Sequence, residues 1–214
     1  LHTDRKGKAS LARAIEMLEL VGINEPQKRV KQYPHELSGG MRQRVMIAMA
    51  LACEPDILIA DEPTTALDVT IQAQILELMQ SLQKKMGMAV ILVTHDLGVI
   101  ADMCDNIIVM YGGHICERGT ADEIYYNPRH EYTKGLLRSI PNVNNMKEKL
   151  VPIAGTPINV LNLPKGCAFC ARCDEAMKIC LEQQPEELTI NENHKAACWM
   201  NVRRMLEEEG GGAQ

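Results

Sequence analysis

LSGGMRQRVMIAMALACEPDILIADEPTTALD, residues 37–68, is the stretch that decides the fold of this chain of 214 residues. It opens on Ser38, a residue type favoured as an N-cap, followed by two glycines. The spacing predicts a helix over 41–53, with an apolar face formed by Met41, Val45, Ala48, Met49 and Ala52. A helix N-terminus offers unpaired N–H groups, and glycines let an anion approach them. The turn is therefore either an anion site or an ordinary capped turn.

A short apolar run over 57–60 predicts a strand buried on both faces, and it ends in Asp61 and Glu62. Carboxylates at the carboxyl end of such a strand lie where open α/β sheets bind ligands. Asp61 can hold Mg²⁺ directly or through water, and Glu62 is free to orient or deprotonate a water molecule. A carboxylate pair on its own is equally typical of a solvated strand end.

A second strand is predicted one helix further along the chain. Residues 69–86 show a helical apolar stripe, and residues 88–94 are predicted to form a second buried strand that ends at His95. A strand, a helix and a strand in this order make neighbouring parallel strands. We therefore expect His95 at the same sheet edge as Asp61 and Glu62, where its alternative role is a polar cap.

The ordered set of these segments resembles the ATP-binding subunit of ABC transporters. The first five residues of the stretch resemble the ABC signature motif: Leu37, Ser38, Gly39, Gly40 and Met41. Met41 stands where the commonest signature has Gln, as is common in the peptide-importer branch. Residues 57–61 with Glu62 resemble Walker B and the catalytic glutamate, residues 66–68 ending in Asp68 resemble the D-loop, and His95 resembles the switch histidine.

The resemblance implies ATP and Mg²⁺ as cofactors. Asp61 would position Mg²⁺, Glu62 would activate water, and His95 would contact the γ-phosphate. The signature and the D-loop would meet the ATP held by a second ATPase subunit. The implied fold is an α/β, P-loop NTPase-type ABC nucleotide-binding domain.

The sequence contains no GxxxxGK[ST] phosphate loop, and Lys6-Gly7-Lys8 fails that pattern because Ala9 follows the lysine. We therefore expect a partial domain, truncated at its N-terminus, in which the Walker A segment is absent. A chain of this extent is not expected to hydrolyse ATP alone.

Residues 127–141 are similar to the C-terminal extension of oligopeptide, dipeptide and nickel importers, with Glu131 where that family usually has Pro. We accordingly divide the chain into a partial ABC ATPase domain over 1–126 and a small Cys-rich extension over 127–214. Residues 153–163 are expected to form an extended, turn-rich arm.

Five of the eight cysteines fall between residues 167 and 198. Dense thiols favour a soft-metal site, and spacing alone leaves zinc and a [4Fe–4S] cluster open beside free thiols. The resemblance implies the cluster, because four positions match cysteines associated with one in some importers: Cys167, Cys173, Cys180 and Cys198. Cys170 lies outside that pattern and could compete as a ligand. Lys165 and Arg172 are expected to lower the thiol pKa values, and Cys53, Cys104 and Cys116 to be buried packing residues.

Composition limits the function classes. The net charge is −5 without a basic block, which argues against nucleic-acid binding, and no apolar run reaches membrane-spanning length. Eight cysteines without an export signal favour reduced thiols.

Together these observations predict a peripheral subunit on the cytoplasmic face of the cell membrane that hydrolyses ATP to power import of peptides or nickel. Its expected partners are a second ATPase subunit, which the resemblance implies is a paralogue, and permease subunits, with a substrate-binding protein acting indirectly. The alternatives are a non-catalytic or redox-sensing half-site partner and a soluble ABC-type ATPase.

Overall fold

The computed structural model describes residues 6–140 and 152–210. Contacts divide the chain into two compact units, Leu1–His95 and Asp96–Gln214. The boundary predicted after residue 126 is drawn from the resemblance to the importer family. The two packing units do not test that boundary, and it stays a prediction. No helix among the described residues combines the length and the apolar character needed to cross a bilayer.

The first unit places four helices beside a two-stranded parallel sheet. Its elements are α1 (Lys8–Leu20), α2 (Pro26–Arg29), a 3₁₀ turn (Pro34–Glu36), α3 (Gly39–Leu51), β1 (Ile57–Asp61), α4 (Val69–Met86) and β2 (Ala89–Val93). The strands pair in parallel from Ile57 opposite Ala89 to Asp61 opposite Val93. The predicted strand–helix–strand unit is confirmed, and both strands end at one edge of the sheet.

Helix α4 supplies much of the core of the first unit. Its side chains Ile75, Met79 and Leu82 are buried, as is Leu51 at the end of α3. Gly87 ends α4 in the left-handed region, with φ of 65°, where a residue without a Cβ is favoured.

Two predictions about the helices and strands of this unit are wrong. Strand β1 is not buried on both faces, since Ile57 and Ile59 are 55% and 67% exposed while Leu58 between them is buried. Strand β2 is not buried either, since Ile91 and Val93 are both exposed. Alternate strand residues point to opposite faces, and only one face of this pair is packed. Helix α3 begins at Gly39, and its buried stripe is Ile47, Ala48 and Leu51, which leaves Met49 exposed.

The second unit is built on a four-stranded antiparallel sheet of order β3-β4-β6-β5. Its elements are α5 (Leu97–Met103), β3 (Asn106–Tyr111), β4 (His114–Thr120), α6 (Ala121–Tyr126), α7 (Glu131–Arg138), a 3₁₀ turn (Cys170–Arg172), α8 (Lys178–Glu182), β5 (Leu188–Asn191), β6 (His194–Ala196) and α9 (Trp199–Gly210). Gly112 and Gly113 form the hairpin turn between β3 and β4, with φ of 57° and 81°. Strand β6 adds to the free edge of β4, so a late segment of the chain completes a sheet begun before residue 126.

An aromatic cluster forms the core beside this sheet. The ring of Tyr111 lies 4.7 Å from that of Tyr132 and meets Phe169 edge-on at 5.3 Å, centroid to centroid. Cys116 is buried against the cluster, which confirms its packing role. The same expectation is wrong for Cys53, which is exposed, and Cys104 is only half-buried.

Candidate functional sites

Glu62 stands at the carboxyl edge of the β1–β2 sheet in a strained backbone conformation. Its N–H donates to the carbonyl of Val93 at 2.8 Å, which fastens the residue to the end of the neighbouring strand. Its φ is 44°, in the left-handed region, where a residue with a side chain costs about 1–3 kcal/mol. Such strain is typical of residues held for function.

Two side chains hold the Glu62 carboxylate. The Thr65 hydroxyl donates to one oxygen at 2.7 Å, and His95 Nδ1 lies 2.9 Å from the other. The bond from Thr65, and then that from His95, hold the pKa of Glu62 below its ordinary value. The carboxylate is therefore ionised at neutral pH and able to accept a proton.

The structure brings the predicted residues of this edge together. Asp61 is the last residue of β1 and is exposed directly before Glu62, and His95 follows β2 and reaches Glu62. The Glu62 and His95 side chains are 45% and 81% exposed, so both are open to a ligand. Thr65 was missed, and the only available signal was its position three residues after the glutamate.

The N-terminus of α3 is capped as predicted. Ser38 Oγ accepts a hydrogen bond from the Met41 N–H at 3.3 Å. A Cβ on Gly40 would lie 2.8 Å from Cγ2 of Ile71 on α4, so this glycine is required for close helix packing. A Cβ on Gly39 would meet Leu67 at an ordinary 3.5 Å.

Asp68 caps the following helix. Its Oδ1 accepts from the Ile71 N–H at 3.0 Å, at the N-terminus of α4. Ile71 therefore contacts both motifs, with its N–H on Asp68 and its side chain against Gly40. The capping role of Asp68 was missed, although an Asp directly before an apolar-periodic segment is a recognised helix start signal.

The second candidate site is a small cavity in the second unit, which we call the cysteine cavity. Its wall contains five thiols, from Cys167, Cys170, Cys173, Cys180 and Cys198, next to His130, Glu131 and Trp199. The Cys167 N–H donates to the Cys180 carbonyl at 2.8 Å, which brings α8 alongside the 3₁₀ turn. The Met177 N–H lies 3.4 Å from Cys180 Sγ. The four cysteines singled out from the sequence are thus brought together, and Cys170 joins them.

Burial raises the pKa values of three thiols in this cavity. It raises the pKa of Cys167 to about 11 and of Cys173 to about 12, and it also raises the pKa of Cys198. The expectation that Lys165 and Arg172 lower these pKa values is wrong for these three cysteines. The Arg172 guanidinium is engaged elsewhere, because it donates to the carbonyls of Ile153 and Ala154 at 3.0 and 2.8 Å.

Among the described residues, no three His, Cys, Asp or Glu side chains are arranged as a site for a single metal ion. A [4Fe–4S] cluster asks for a different arrangement, since each thiolate binds its own iron atom and the sulfur atoms need not converge on one point. Four or more cysteines around one enclosed space are the donor set that such a cluster uses.

A buried charged network anchors one wall of the cysteine cavity, and the sequence analysis missed it. Glu117 is fully buried and accepts from the N–H groups of Arg129 and His130 at 2.5 and 2.9 Å. His194 lies between two carboxylates, with Nε2 2.7 Å from Glu117 and Nδ1 3.1 Å from Glu123. The His194 ring therefore joins β6 to Glu117 on β4 and to Glu123 on α6.

The network fixes the start of α7, where His130 and Glu131 enter the cavity wall. His130 Nδ1 accepts from the Tyr132 N–H at 3.0 Å and so caps α7. Burial lowers the pKa of His130 to about 4, which keeps its ring neutral. The cavity wall therefore contains the neutral, fixed imidazole of His130 beside the thiols.

Two family profiles match the chain. The family described as ABC transporter matches residues 2–65, and the family described as the C-terminal region of the oligopeptide/dipeptide transporter matches residues 116–180. The first covers the signature and Glu62, and the second covers Cys167, Cys173 and Cys180.

Similar proteins were found along nearly the whole chain. An oligopeptide transport ATP-binding protein of Bacillus subtilis strain 168 is 56% identical over 200 residues, which are 93% of this chain and 56% of that protein. A dipeptide transport ATP-binding protein of the same organism is 52% identical over 203 residues, covering 95% and 61% of the two chains. The chain thus spans somewhat more than half the length of these relatives.

Among solved structures, cbiO1 of Clostridium perfringens, described as part of the ABC transporter complex cbiONQ, superimposes with a TM-score of 0.50. It is 33% identical, and the match covers 58% of this chain and 49% of that one. The likeness confirms the predicted α/β fold class for the matched part.

Proposed function

The chain belongs to the family of ABC-transporter ATP-binding proteins, in its oligopeptide and dipeptide branch, and from this premise we propose that it is the ATP-binding subunit of a peptide importer. Its similarity to relatives that are themselves peptide transport ATP-binding proteins supports this function. Nickel is the alternative cargo, and the proposed cofactors are ATP and Mg²⁺.

The proposed chemistry is attack of water on the γ-phosphate of ATP. Asp61 holds Mg²⁺ when the nucleotide is bound, and Glu62 accepts the proton of the attacking water. His95 positions Glu62 and reaches the transferring phosphate. The observation that carries the proposal is the Glu62 carboxylate, ionised and held between Thr65 and His95 at an exposed sheet edge.

The signature acts on a different nucleotide. The capped turn of Ser38, Gly39 and Gly40, flanked by Leu37 and Met41, directs the N-terminus of α3 toward ATP held by a second ATPase subunit. Asp68 lies at the same interface. Ile71 contacts both Gly40 and Asp68, which places the two motifs side by side.

The proposed assembly follows from the two nucleotides on which Glu62 and the signature act. The second ATPase subunit is a paralogue, the pore is formed by permease subunits, and a substrate-binding protein delivers the cargo to them. The chain then lies peripherally on the cytoplasmic face of the membrane. Within it, residues 1–126 belong to the ATPase domain and residues 127–214 to the extension.

The test uses the transporter complex isolated through a tag on this chain and supplied with MgATP. Glu62→Gln keeps the shape of the side chain and removes the base, so hydrolysis should fall about a hundredfold or more while ATP binding persists. Glu77→Gln, an exposed carboxylate on α4, is the control and should hydrolyse at the wild-type rate. Undiminished hydrolysis by the Glu62 variant would rule out its proposed role.

For the extension we propose a [4Fe–4S] cluster bound by Cys167, Cys173, Cys180 and Cys198. The convergence of these thiols on one cavity supports it, as does the match of the oligopeptide/dipeptide transporter C-terminal region to three of them. The bound group would hold the 3₁₀ turn, α8 and the start of α9 together. Anaerobic isolation should yield iron and acid-labile sulfide in equal amounts, whereas zinc without sulfide would show that the alternative metal is correct.

A further inference from the structure

We propose that Cys170 is a fifth ligand position of the cysteine cavity, able to replace either of its chain neighbours, Cys167 or Cys173, as a cluster ligand. This inference rests on the proposed cluster. The cavity would then offer three thiols on one segment, of which any two serve, together with Cys180 and Cys198, which have no replacement.

The first argument is the spacing of the three thiols. Cys167, Cys170 and Cys173 are separated by two residues each. A run of cysteines at this spacing provides successive ligands to one cluster in bacterial ferredoxins. The spacing therefore makes all three cysteines, including Cys170, suitable as cluster ligands.

The second argument is the tight folding of this segment, of which Cys170–Arg172 is a 3₁₀ turn. Three i to i+3 bonds lie within it: Cys170 N–H to Cys167 O at 3.0 Å, Arg172 N–H to Phe169 O at 3.0 Å, and Cys173 N–H to Cys170 O at 3.3 Å. These turns bring the three cysteines to one wall, and all three line the cavity.

The 167–173 segment is held against α8. A Cβ on Gly166 would lie 2.1 Å from the Cys180 carbonyl oxygen, so the two backbones touch directly before Cys167. Phe169, within the segment, is buried in the aromatic cluster with Tyr111 and Tyr132. These contacts fix the positions on either side of Cys170, which lines the cavity.

The other two donors lie alone on their elements. Cys180 is the cysteine of α8 and is buried, and Cys198 directly precedes α9. Ala197 beside it is tied to β4 through its N–H on the Cys116 carbonyl at 2.8 Å. Cys116 is buried in the hydrophobic cluster beside Phe169 and does not line the cavity. The proposal thus predicts two classes of cavity cysteine. Three on one segment can replace one another, and the other two cannot be replaced.

The experiment compares anaerobically isolated full chains by iron and sulfide content and by electron paramagnetic resonance after reduction. Cys170→Ala should match the wild type, as should the control Cys53→Ala at an exposed thiol of the first unit. Cys167→Ala and Cys173→Ala should each retain a four-iron cluster, whereas Cys180→Ala and Cys198→Ala should lose it. Adding Cys170→Ala to the Cys167 or Cys173 variant should abolish the retained cluster.

Alkylation with iodoacetamide, mapped by mass spectrometry, shows which thiols are free in the loaded proteins. Cys170 should react in the loaded wild type and be protected in the loaded Cys173→Ala protein. Loss of the cluster in both the Cys167 and Cys173 variants, to the level of Cys180→Ala, would overturn the inference while leaving the cluster intact as a proposal. Absence of iron and sulfide from the wild type would overturn both.

Discussion

The sheet edge at Glu62 and the cysteine cavity differ in how far along the chain their contacts reach. At the edge, Ser38 contacts Met41, Glu62 contacts Thr65 and Asp68 contacts Ile71, each three residues away, and the contact of Glu62 with His95 spans 33 residues. Around the cavity the corresponding partners are distant in sequence. Glu117 and His194 are 77 residues apart, and Tyr111 and Arg172 are 61 apart.

The two regions also differ in exposure. The Glu62–His95 pair is open to solvent, whereas the Glu117 and His194 side chains have no exposed surface. A site that must receive a nucleotide needs open side chains, and short local contacts can hold them without a covering layer. A cavity that encloses its ligands needs elements from distant parts of the chain. Breaking a contact should therefore cost little stability at the edge and much in the cavity.

The largest expected effect tests the buried side of this comparison. Glu117→Ala leaves two backbone N–H groups and Nε2 of the His194 ring without a partner in a buried place. Each buried polar group left without its partner costs about 1–3 kcal/mol, so the free energy of unfolding should fall by about 3 kcal/mol or more. Urea unfolding followed by the fluorescence of Trp199, the one tryptophan of the chain, reports on the second unit directly.

The matched control is Glu186→Ala, since Glu186 is an exposed carboxylate of the same unit. Its effect should stay within about 0.5 kcal/mol. Equal unfolding midpoints for the two variants would show that the Glu117–His194 network contributes nothing beyond an ordinary surface charge.

The next prediction concerns the backbone contact that closes the cavity. Gly166→Ala places a methyl group 2.1 Å from the Cys180 carbonyl oxygen, a distance that only movement of the backbone can relieve. Overpacking of this kind costs about 3 kcal/mol. The same unfolding measurement applies, with Gly98→Ala in α5 as a control that meets only the end of the Asp96 side chain. A Gly166 variant as stable as its control would mean that α8 shifts freely.

This contrast explains which parts of the molecule could be predicted from sequence. The edge was predicted nearly completely, because a capped turn, a strand ending in carboxylates and a strand ending in His95 are each a few residues long. The strand–helix–strand order then brings them together. Its missed parts, Thr65 and the cap at Asp68, are also local and were accessible to the same reasoning.

The cavity could be predicted only as a list of cysteines. Nothing in the spacing shows that Glu117 on β4 would bind His194 on β6, because that pairing depends on a sheet joined across 77 residues. Burial likewise overrides the charge of Arg172 in setting the thiol pKa values, and burial is a property of the whole unit. The exposed faces of Ile57 and Ile59 escaped prediction for the same reason, since an apolar run does not reveal what covers it.

A smaller effect is expected from the D-loop cap. Asp68→Ala removes the acceptor for the Ile71 N–H, and loss of such a cap costs about 1 kcal/mol. Asp68→Asn keeps a cap of equal quality and should leave stability unchanged. Hydrogen exchange of the first amides of α4 measures the difference. Equal exchange in the alanine and asparagine variants would show that Asp68 acts through its charge and not as a cap.

The smallest effect, and the one that joins local geometry to chemistry, is a pH shift at Glu62. The Thr65 hydroxyl is the first cause of the lowered pKa of Glu62, so Thr65→Val should raise that pKa toward its ordinary value. Because the ionised carboxylate is the proposed base, the acid limb of ATP hydrolysis by the transporter complex should move to higher pH, with the rate on the alkaline side unchanged. Thr70→Val, at an exposed position of α4, should leave the profile in place. An acid limb that stays fixed in the Thr65 variant would mean that Glu62 does not govern hydrolysis in this range. The edge would then differ from the cavity in exposure alone.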